Sequence, residues 1–442
     1  MAIQPRRPGR RSTPPPESPG FTSSPLYWIL LLSLLAVAGF LLHSRLNESA
    51  LPAPVVDTPP PETPKIVPKE ETKVVVVDQT PPPPPPPPVV MNEPPKPMKP
   101  APVVKPGEFV FAAAHFDHGH ISGQCASLAE AGGTLKWIFE PDTAKHAPFL
   151  ARYPGVKVAR SLDEILADPA VKLVTAAAVP SDRAAIGLRV MDAGKDYFTD
   201  KAPFTTLAQL EQARAAVRRT GRKYFVYYSE RLHSEAGMFA TQLVREGVVG
   251  RVVQVVGLGP HRLNKRTRPA WFFQKARYGG ILCDIGSHQC EQFLTYAGAR
   301  DARVTHAAVG NFANPDTPEL EDFGEASLVA DNGATNQVRV DWFTPDGLSN
   351  WGDGRTFILG TKGFIELRKY VDLTRDRAGN QVFIVDGKGE YQVNVAGRVG
   401  YRFFGEFILD CLHRTENAMT QEHAFKAAEL CLRAQAAAIR LA

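Results

Sequence analysis

Residues 171–203, VKLVTAAAVPSDRAAIGLRVMDAGKDYFTDKAP, decide the fold. VKLVTAAAVP is apolar and β-prone and stops at Pro180, so it reads as a strand entering a turn. SDRAAIGLRVMDAG has a helical apolar spacing and ends on Gly194, the residue type that closes helices. KDYFTDKAP reads as a second strand running into a loop. A strand, a helix and another strand in that order need a parallel crossover.

The pattern continues in both directions. Upstream are EFVFAAA (strand), the loop and helix of HFDHGHISGQCASLAEAGG, LKWIFEPD (strand), a short helix, VKVAR (strand) and the helix SLDEILADP. In the last, Ser161 is an N-cap three residues before Glu164. Downstream, TTLAQLEQARAAVRRTG reads as a helix and YFVYYSE as a strand. Residues 108–229 are therefore expected to form an α/β domain with a doubly wound parallel sheet of the Rossmann type. In such sheets ligands lie beyond the carboxyl ends of the strands. Those ends carry His115 to His120, Glu140, Val179-Pro180-Ser181 and Asp200-Lys201-Ala202-Pro203.

An acid at the end of the second strand can hold the ribose hydroxyls of a dinucleotide, which is the expected role of Glu140; its charge favours NAD over NADP. The first turn departs from the GxGxxG pattern that lets backbone approach a pyrophosphate. It reads AAAHFDHGHISG, in which Gly119 and Gly123 remain and His118 and His120 crowd the loop. No carboxylate ligand pattern accompanies the histidines, so no metal site is expected. The candidate cofactor-binding set read from the strand ends is His118, Gly119, His120, Glu140 and Pro180.

After about residue 230 the pattern changes. RVVQVVGLGP, ARVTHAAVG, EASLVADNG, TNQVRVDWFT, RTFILGTKGFIELRKY, QVFIVDG and YQVNVAG read as strands largely in sequence. They predict a second α/β domain over 230–442 with a large, open, mostly antiparallel sheet. Tyr401 to Ala442 reads as helical, with apolar faces free to pack back on the first domain. Within this half, YGGILCDIGSHQCEQFL (Tyr278 to Leu294) carries Asp284 and His288 at i,i+4, one face if the segment is helical. A carboxylate beside an imidazole suits proton transfer.

Two appendages precede the domains. Residues 26–43 contain an uncharged apolar run, LYWILLLSLLAVAGFLL, at the short end of what spans a bilayer. Arg6, Arg7, Arg10 and Arg11 precede it, which places a tail of residues 1–25 in the cytoplasm and the rest outside, in the periplasm. A cleaved signal peptide is the rival reading, but no small-x-small site follows Leu42. Residues 44–107 are rich in proline, with eight in a row from Pro81 to Pro88; proline fixes φ and removes donors, so a disordered, extended linker is expected. The net charge is +5, of which the tail carries +3 and the balanced linker none, so the folded part offers no footprint for nucleic acid. The five cysteines are scattered without metal spacing.

In order and spacing, residues 108–442 resemble the glucose–fructose oxidoreductase / inositol dehydrogenase (Gfo/Idh/MocA) family. Asp200-Lys201-Ala202-Pro203 is similar to its Glu-Lys-Pro turn, with Asp for Glu and an inserted Ala, and GGILCDIGSHQCEQF to its GGxxxDxGxHxxD segment. The resemblance implies a tightly held NAD or NADP and hydride exchange with a secondary hydroxyl of a sugar, cyclitol or glycoside. It makes His288 the base, has Asp284 orient it or touch substrate, and sets Lys201 beside the hydroxyl and nicotinamide. Arg231, His261, Arg262 and Trp271 are candidate substrate contacts, and a homo-oligomer is implied. A glycosidase or lyase using bound NAD transiently, and a non-catalytic binding module, are the alternatives. If the linker reading holds, a protease nick near Pro94 releases a soluble, folded fragment; loss of the fold on cleavage would sink it.

Overall fold

The computed structural model describes residues 95–373 and 379–441. The expected basic tail, the apolar span and the linker as far as residue 94 lie outside the described residues. Among the described residues, no helix is long and apolar enough to cross a membrane. The end of the expected linker is described, and its boundary at 107 moves back. From residue 95 the chain runs along the folded body, with Val103 N donating to Ala131 O (2.9 Å) and Arg398 donating to Pro95 O (3.2 Å).

The first domain alternates as its sequence predicts. It comprises β1 (Val110–Ala114), α1 (His120–Glu130), β2 (Thr134–Phe139), α2 (Ala147–Arg152), β3 (Lys157–Val158), α3 (Leu162–Ala167), β4 (Val171–Ala176), α4 (Pro180–Asp192), β5 (Asp196–Asp200), α5 (Leu207–Thr220) and β6 (Tyr224–Tyr227). Local chemistry sets the ends. Ser161 caps α3, Thr206 and Gln209 form a full capping box on α5, and Gly221 closes α5 at φ +64°. The sheet order is β3-β2-β1-β4-β5-β6, with every pairing parallel. The order reverses between β1 and β4, which opens a crevice at their carboxyl ends.

The second domain begins with α6 (Glu235–Arg245), which the strand pattern did not reveal. There follow β7 (Val252–Pro260), α7 (Ile281–Asp284), α8 (Gly286–Ala297), β8 (Ala302–Gly310), β9 (Phe323–Ala330), β10 (Thr335–Asp341), β11 (Arg355–Gly360), β12 (Gly363–Arg368), β13 (Gln381–Asp386) and β14 (Gly389–Asn394). The chain ends with α9 (Arg402–His413), α10 (Gln421–Ala437) and β15 (Ile439–Arg440). The nine strands run β14-β13-β12-β11-β7-β10-β9-β8-β15. The sheet is mostly antiparallel; β7 with β10 and β8 with β15 are the parallel pairs. The last stretch is thus not wholly helical, because residues 439–440 add an edge strand.

Inward residues such as Val255, Ile358, Ile365 and Ile384 are buried, while Val253 and Leu359 face outward and are exposed. One face is therefore covered by helices and the other is open. Helix α9 crosses to the first domain, where Phe407 packs on Phe198 of β5 (ring centroids 5.0 Å) and on Phe225 of β6 (4.7 Å).

The sharpest local requirement lies just before α7. Gly280 has φ 93° and ψ 160°, a region that essentially only glycine enters. A Cβ there would meet the Gln435 side chain at 2.3 Å. Gln435 accepts from Leu282 N (3.0 Å) and donates to Glu321, tying α7 to α10. Gly280→Ala is expected to destabilise the fold by about 1–3 kcal/mol, read as a lower urea midpoint; an unchanged midpoint refutes this account of the turn.

Candidate active site

Beyond the carboxyl ends of the first sheet lies a cavity of about 520 Å³. Asp117 to His120 form one wall, and His261, Arg262, Arg268, Trp271 and Phe272 of the second domain form the other, with Trp351 at the edge. The fold thus brings together the loop after β1 and the stretch after β7, which lie far apart in the chain.

The β1 loop is clamped on both sides. His115 N donates to Phe139 O (2.9 Å), Ala177 N to His115 O (3.1 Å) and His118 N to Ala177 O (3.0 Å). His115 has φ +56°, in the left-handed region that favours glycine. With Ala114 aligned to the first glycine of GxGxxG, Phe116 occupies the second position. Its ring turns inward and stacks on Phe149 at 4.4 Å. The Glu140 carboxylate is buried and turned toward this loop, accepting from Phe116 N (2.5 Å) and Asp142 N (3.0 Å). In this structure Glu140 braces the turn, a role its place in the sequence did not indicate. Gly119 stands at the start of α1 with nothing within 4 Å of a Cβ, so the helix N-terminus is open to an anion. These residues fit a nicotinamide dinucleotide at its phosphates, through Gly119 and His120, and at its nicotinamide end, through Lys201. The ribose end needs either another partner or a redirected Glu140.

Lys201 follows β5, and its Nζ lies 2.5 Å from Asp284 Oδ1. Burial alone would raise the Asp284 carboxyl, but the Lys201 ammonium outweighs it and holds the group below its ordinary value. Asp284 and His288 are both in place; of the two roles expected for Asp284, orienting His288 or touching substrate, the first is not seen. Asp284 ends α7, while His288 N bonds Ile285 O in a tightened turn, and the carboxylate faces Lys201 instead. The His288 ring is 1% exposed, and its Nδ1 is buried with no hydrogen-bond partner. Burial pushes it down to about 3, against the pull of Glu230, so it is neutral.

Sequence reasoning missed Glu230 and Lys369, which stand behind His288. Glu230 accepts from Lys369 Nζ (2.6 Å) and Gln289 Nε2 (2.9 Å), with His261 Nε2 at 4.0 Å. Burial would raise the Glu230 carboxyl; Lys369, then His288 and His261, bring it down to about 2. The only signal was a charged pair, Glu230-Arg231, after a strand, which does not say that the two are buried against different partners.

Of the four proposed substrate contacts, three line the cavity. His261 lies against Trp351 with the rings tilted (centroids 4.6 Å), and burial lowers it to about 4. Arg262 also ties down the neighbouring loop through Pro345 O (2.9 Å) and Leu348 O (2.6 Å). Trp271 packs beside Phe272 (5.8 Å), and the Arg268 guanidinium lies over that ring at 4.5 Å. Arg231 is the correction. It is buried against Glu291 (Nε to Oε1 2.8 Å and to Oε2 2.9 Å) and borders a separate cavity of about 470 Å³. A fully buried Glu291 requires an internal cation, and Arg231 supplies it.

His261 and His288 titrate below their ordinary value in the folded chain, so between pH 6.5 and 4 the unfolded chain binds more protons. Stability should therefore fall as pH is lowered through that window. His261→Gln is expected to flatten the fall, as measured by thermal unfolding across pH; an unchanged slope contradicts the assignment.

Residues 111–228 match a family described as oxidoreductases with an NAD-binding Rossmann fold, and residues 238–366 match the GFO/IDH/MocA C-terminal domain. The chain is 28% identical over 193 residues to the uncharacterized oxidoreductase YhhX of Escherichia coli K12, covering 43% of this chain and 54% of that one. It is 28% identical over 184 residues to D-xylose dehydrogenase of Paenarthrobacter nicotinovorans, covering 38% and 47%. The chain spans about half the length of these curated relatives. A crystal structure from Erwinia carotovora atroseptica, described as that of an oxidoreductase, is 50% identical, covers 76% of this chain and all of its own, and superposes with a TM-score of 0.73. Levoglucosan dehydrogenase, solved with NADH and levoglucosan, shares the fold at 18% identity and a TM-score of 0.62, over 73% of this chain and 95% of that one. With both its domains matched and a full-length structural relative at half identity, this chain belongs to the Gfo/Idh/MocA family of oxidoreductases.

Proposed function

We propose that this protein is an NAD(P)-dependent oxidoreductase acting on a secondary hydroxyl of a sugar, cyclitol or glycoside. The observation that carries this reading is the Lys201–Asp284 contact of 2.5 Å beside a cleft of mixed aromatic and cationic walls. The matched D-xylose dehydrogenase and the shared fold of levoglucosan dehydrogenase support a sugar-like substrate.

When bound, a nicotinamide dinucleotide supplies the hydride acceptor or donor. Gly119 and His120, at the start of α1, would hold its phosphates, and Pro180, which has no N–H to donate, would offer the cofactor only apolar contact. Lys201 would stand beside its nicotinamide. Glu140 would favour NAD over a 2′-phosphorylated form on turning from the β1 loop, which it braces here, toward the ribose.

The remaining steps belong to this chain's own side chains. Trp271 and Trp351 offer apolar faces to a sugar ring, and Arg262 and Arg268 offer donors at the rim. Lys201 Nζ stabilises the charge that develops on the substrate oxygen. Neutral His288 is free to take the hydroxyl proton at a ring nitrogen. An imidazole lowered to about 3 is a weak base, so the transfer depends on Lys201 stabilising the oxygen at the same moment. Glu230, held by Lys369, then faces the imidazolium that forms.

The uncharged run within 26–43, behind four arginines, supports a single membrane anchor with the folded domains outside the cytoplasm. In that compartment the dinucleotide would need to stay bound between turnovers. The half-exposed apolar residues on the open sheet face support a homo-oligomer.

The test has two parts. Purified protein is denatured without added cofactor, and the supernatant is analysed by mass spectrometry for nicotinamide dinucleotides; stoichiometric NAD(H) or NADP(H) is expected. Against a panel of sugars and cyclitols, His288→Ala and Lys201→Ala should each lower turnover by about 10²-fold or more. A protein that neither retains nor binds a dinucleotide, or variants with undiminished activity, would overturn the reading.

A further inference from the structure

Beyond the place given to His120 beside the cofactor phosphates, the loop after β1 carries a second feature. His118 Nδ1 lies 2.8 Å from Asp200 Oδ2, and His120 Nδ1 lies 2.8 Å from Asp200 Oδ1. The two rings meet edge to face with centroids 4.3 Å apart, and one ligand atom from each of the three residues lies within 4.8 Å of the others. The carboxylate is fully buried, whereas both rings are partly exposed and line the cleft.

A hydrogen-bonded network accounts for only half of this. His120 Nδ1 and Asp200 form a proper hydrogen bond. His118 Nδ1 is as close to Asp200 but lacks hydrogen-bond direction, and it is buried with no hydrogen-bond partner. A buried polar atom without a well-directed partner is unfavourable. A cation between the three groups satisfies all of them. The spacing suits this, since metal–ligand bonds of about 2.1 Å put neighbouring ligand atoms of an octahedron about 3 Å apart.

We propose that His118, His120 and Asp200 bind one divalent first-row transition metal ion on the floor of the cleft. Two imidazoles and one carboxylate leave further positions open toward the cavity, where an oxygen of the cleft's ligand or water completes the shell. Arg183 already shares Asp200 (Nη2 to Oδ2, 3.3 Å), and Lys201 N donates to Oδ1 (2.8 Å). The ion is therefore held chiefly by imidazole nitrogen, which favours Zn²⁺ or Co²⁺ over Mg²⁺ or Ca²⁺. The carboxylate next to His118 in the sequence, Asp117, is not part of this cluster; the fold brings in Asp200 from β5, 80 residues beyond His120.

The test uses full-length protein purified with a tag that contains no histidine. The protein is stripped with chelator, then titrated with Co²⁺ and Zn²⁺. One Co²⁺ per chain should bind with ligand-field bands in the visible, and Zn²⁺ should displace it and raise the melting temperature. His118→Gln and His120→Gln, checked for folding by circular dichroism, should weaken binding by more than about 100-fold, since even second-shell changes cost roughly 10–100-fold. Absence of Co²⁺ bands and of any melting shift overturns the proposal, as does equal binding by the folded variants. Dinucleotide content is measured separately, so failure here leaves the hydride reading standing, and the reverse also holds.

Discussion

The site is organised around a carboxylate that water does not reach. Asp200 ends β5 with no exposure, and a buried charge persists only where it is paired. Burial would raise it; His120, Arg183 and His118 instead hold it well below its ordinary value. Satisfying this one group draws the β1 loop, α4 and β5 to a common point. The two loops that meet there are those at which the strand order reverses. The crevice that the topology opens is thus lined by the side chains that Asp200 needs.

Lys201, the next residue, extends the arrangement into the second domain. Its contact with Asp284 crosses between two sequence regions that fold as separate sheets. Behind that contact, Glu230, Lys369, Gln289 and Gln292 form a buried polar network around α8. Burial keeps His288 neutral, while Glu230 of this network pulls the other way. The glycines at 279 and 280 make the approach possible, because a side chain at Gly280 would displace the link between α7 and α10.

Much of the first domain was legible because its signals are local. Caps at Ser161 and Thr206, the stop at Pro180 and the alternation of strand and helix depend on neighbours a few residues away. The strands of the second domain were legible for the same reason. Helix α6 was not, because the antiparallel pattern around it dominated the reading. Spacing put Asp284 and His288 on one helical face, yet the tightened turn after α7 gave Asp284 to Lys201. Arg231 looked like a ligand-binding arginine, and only the position of Glu291, 60 residues later, shows otherwise.

The sequence alone determined the fold class, the order of the two domains and the residue types at the strand ends, since these follow from periodicity and turn chemistry. Tertiary structure decided which of those residues share a site. It turned Glu140 onto its own loop, sent Arg231 to a different cavity, and brought Asp200 to His118 and His120, 80 residues or more away in the chain. Side chains many residues apart meet only when packing sets their distance, and no local pattern encodes that distance.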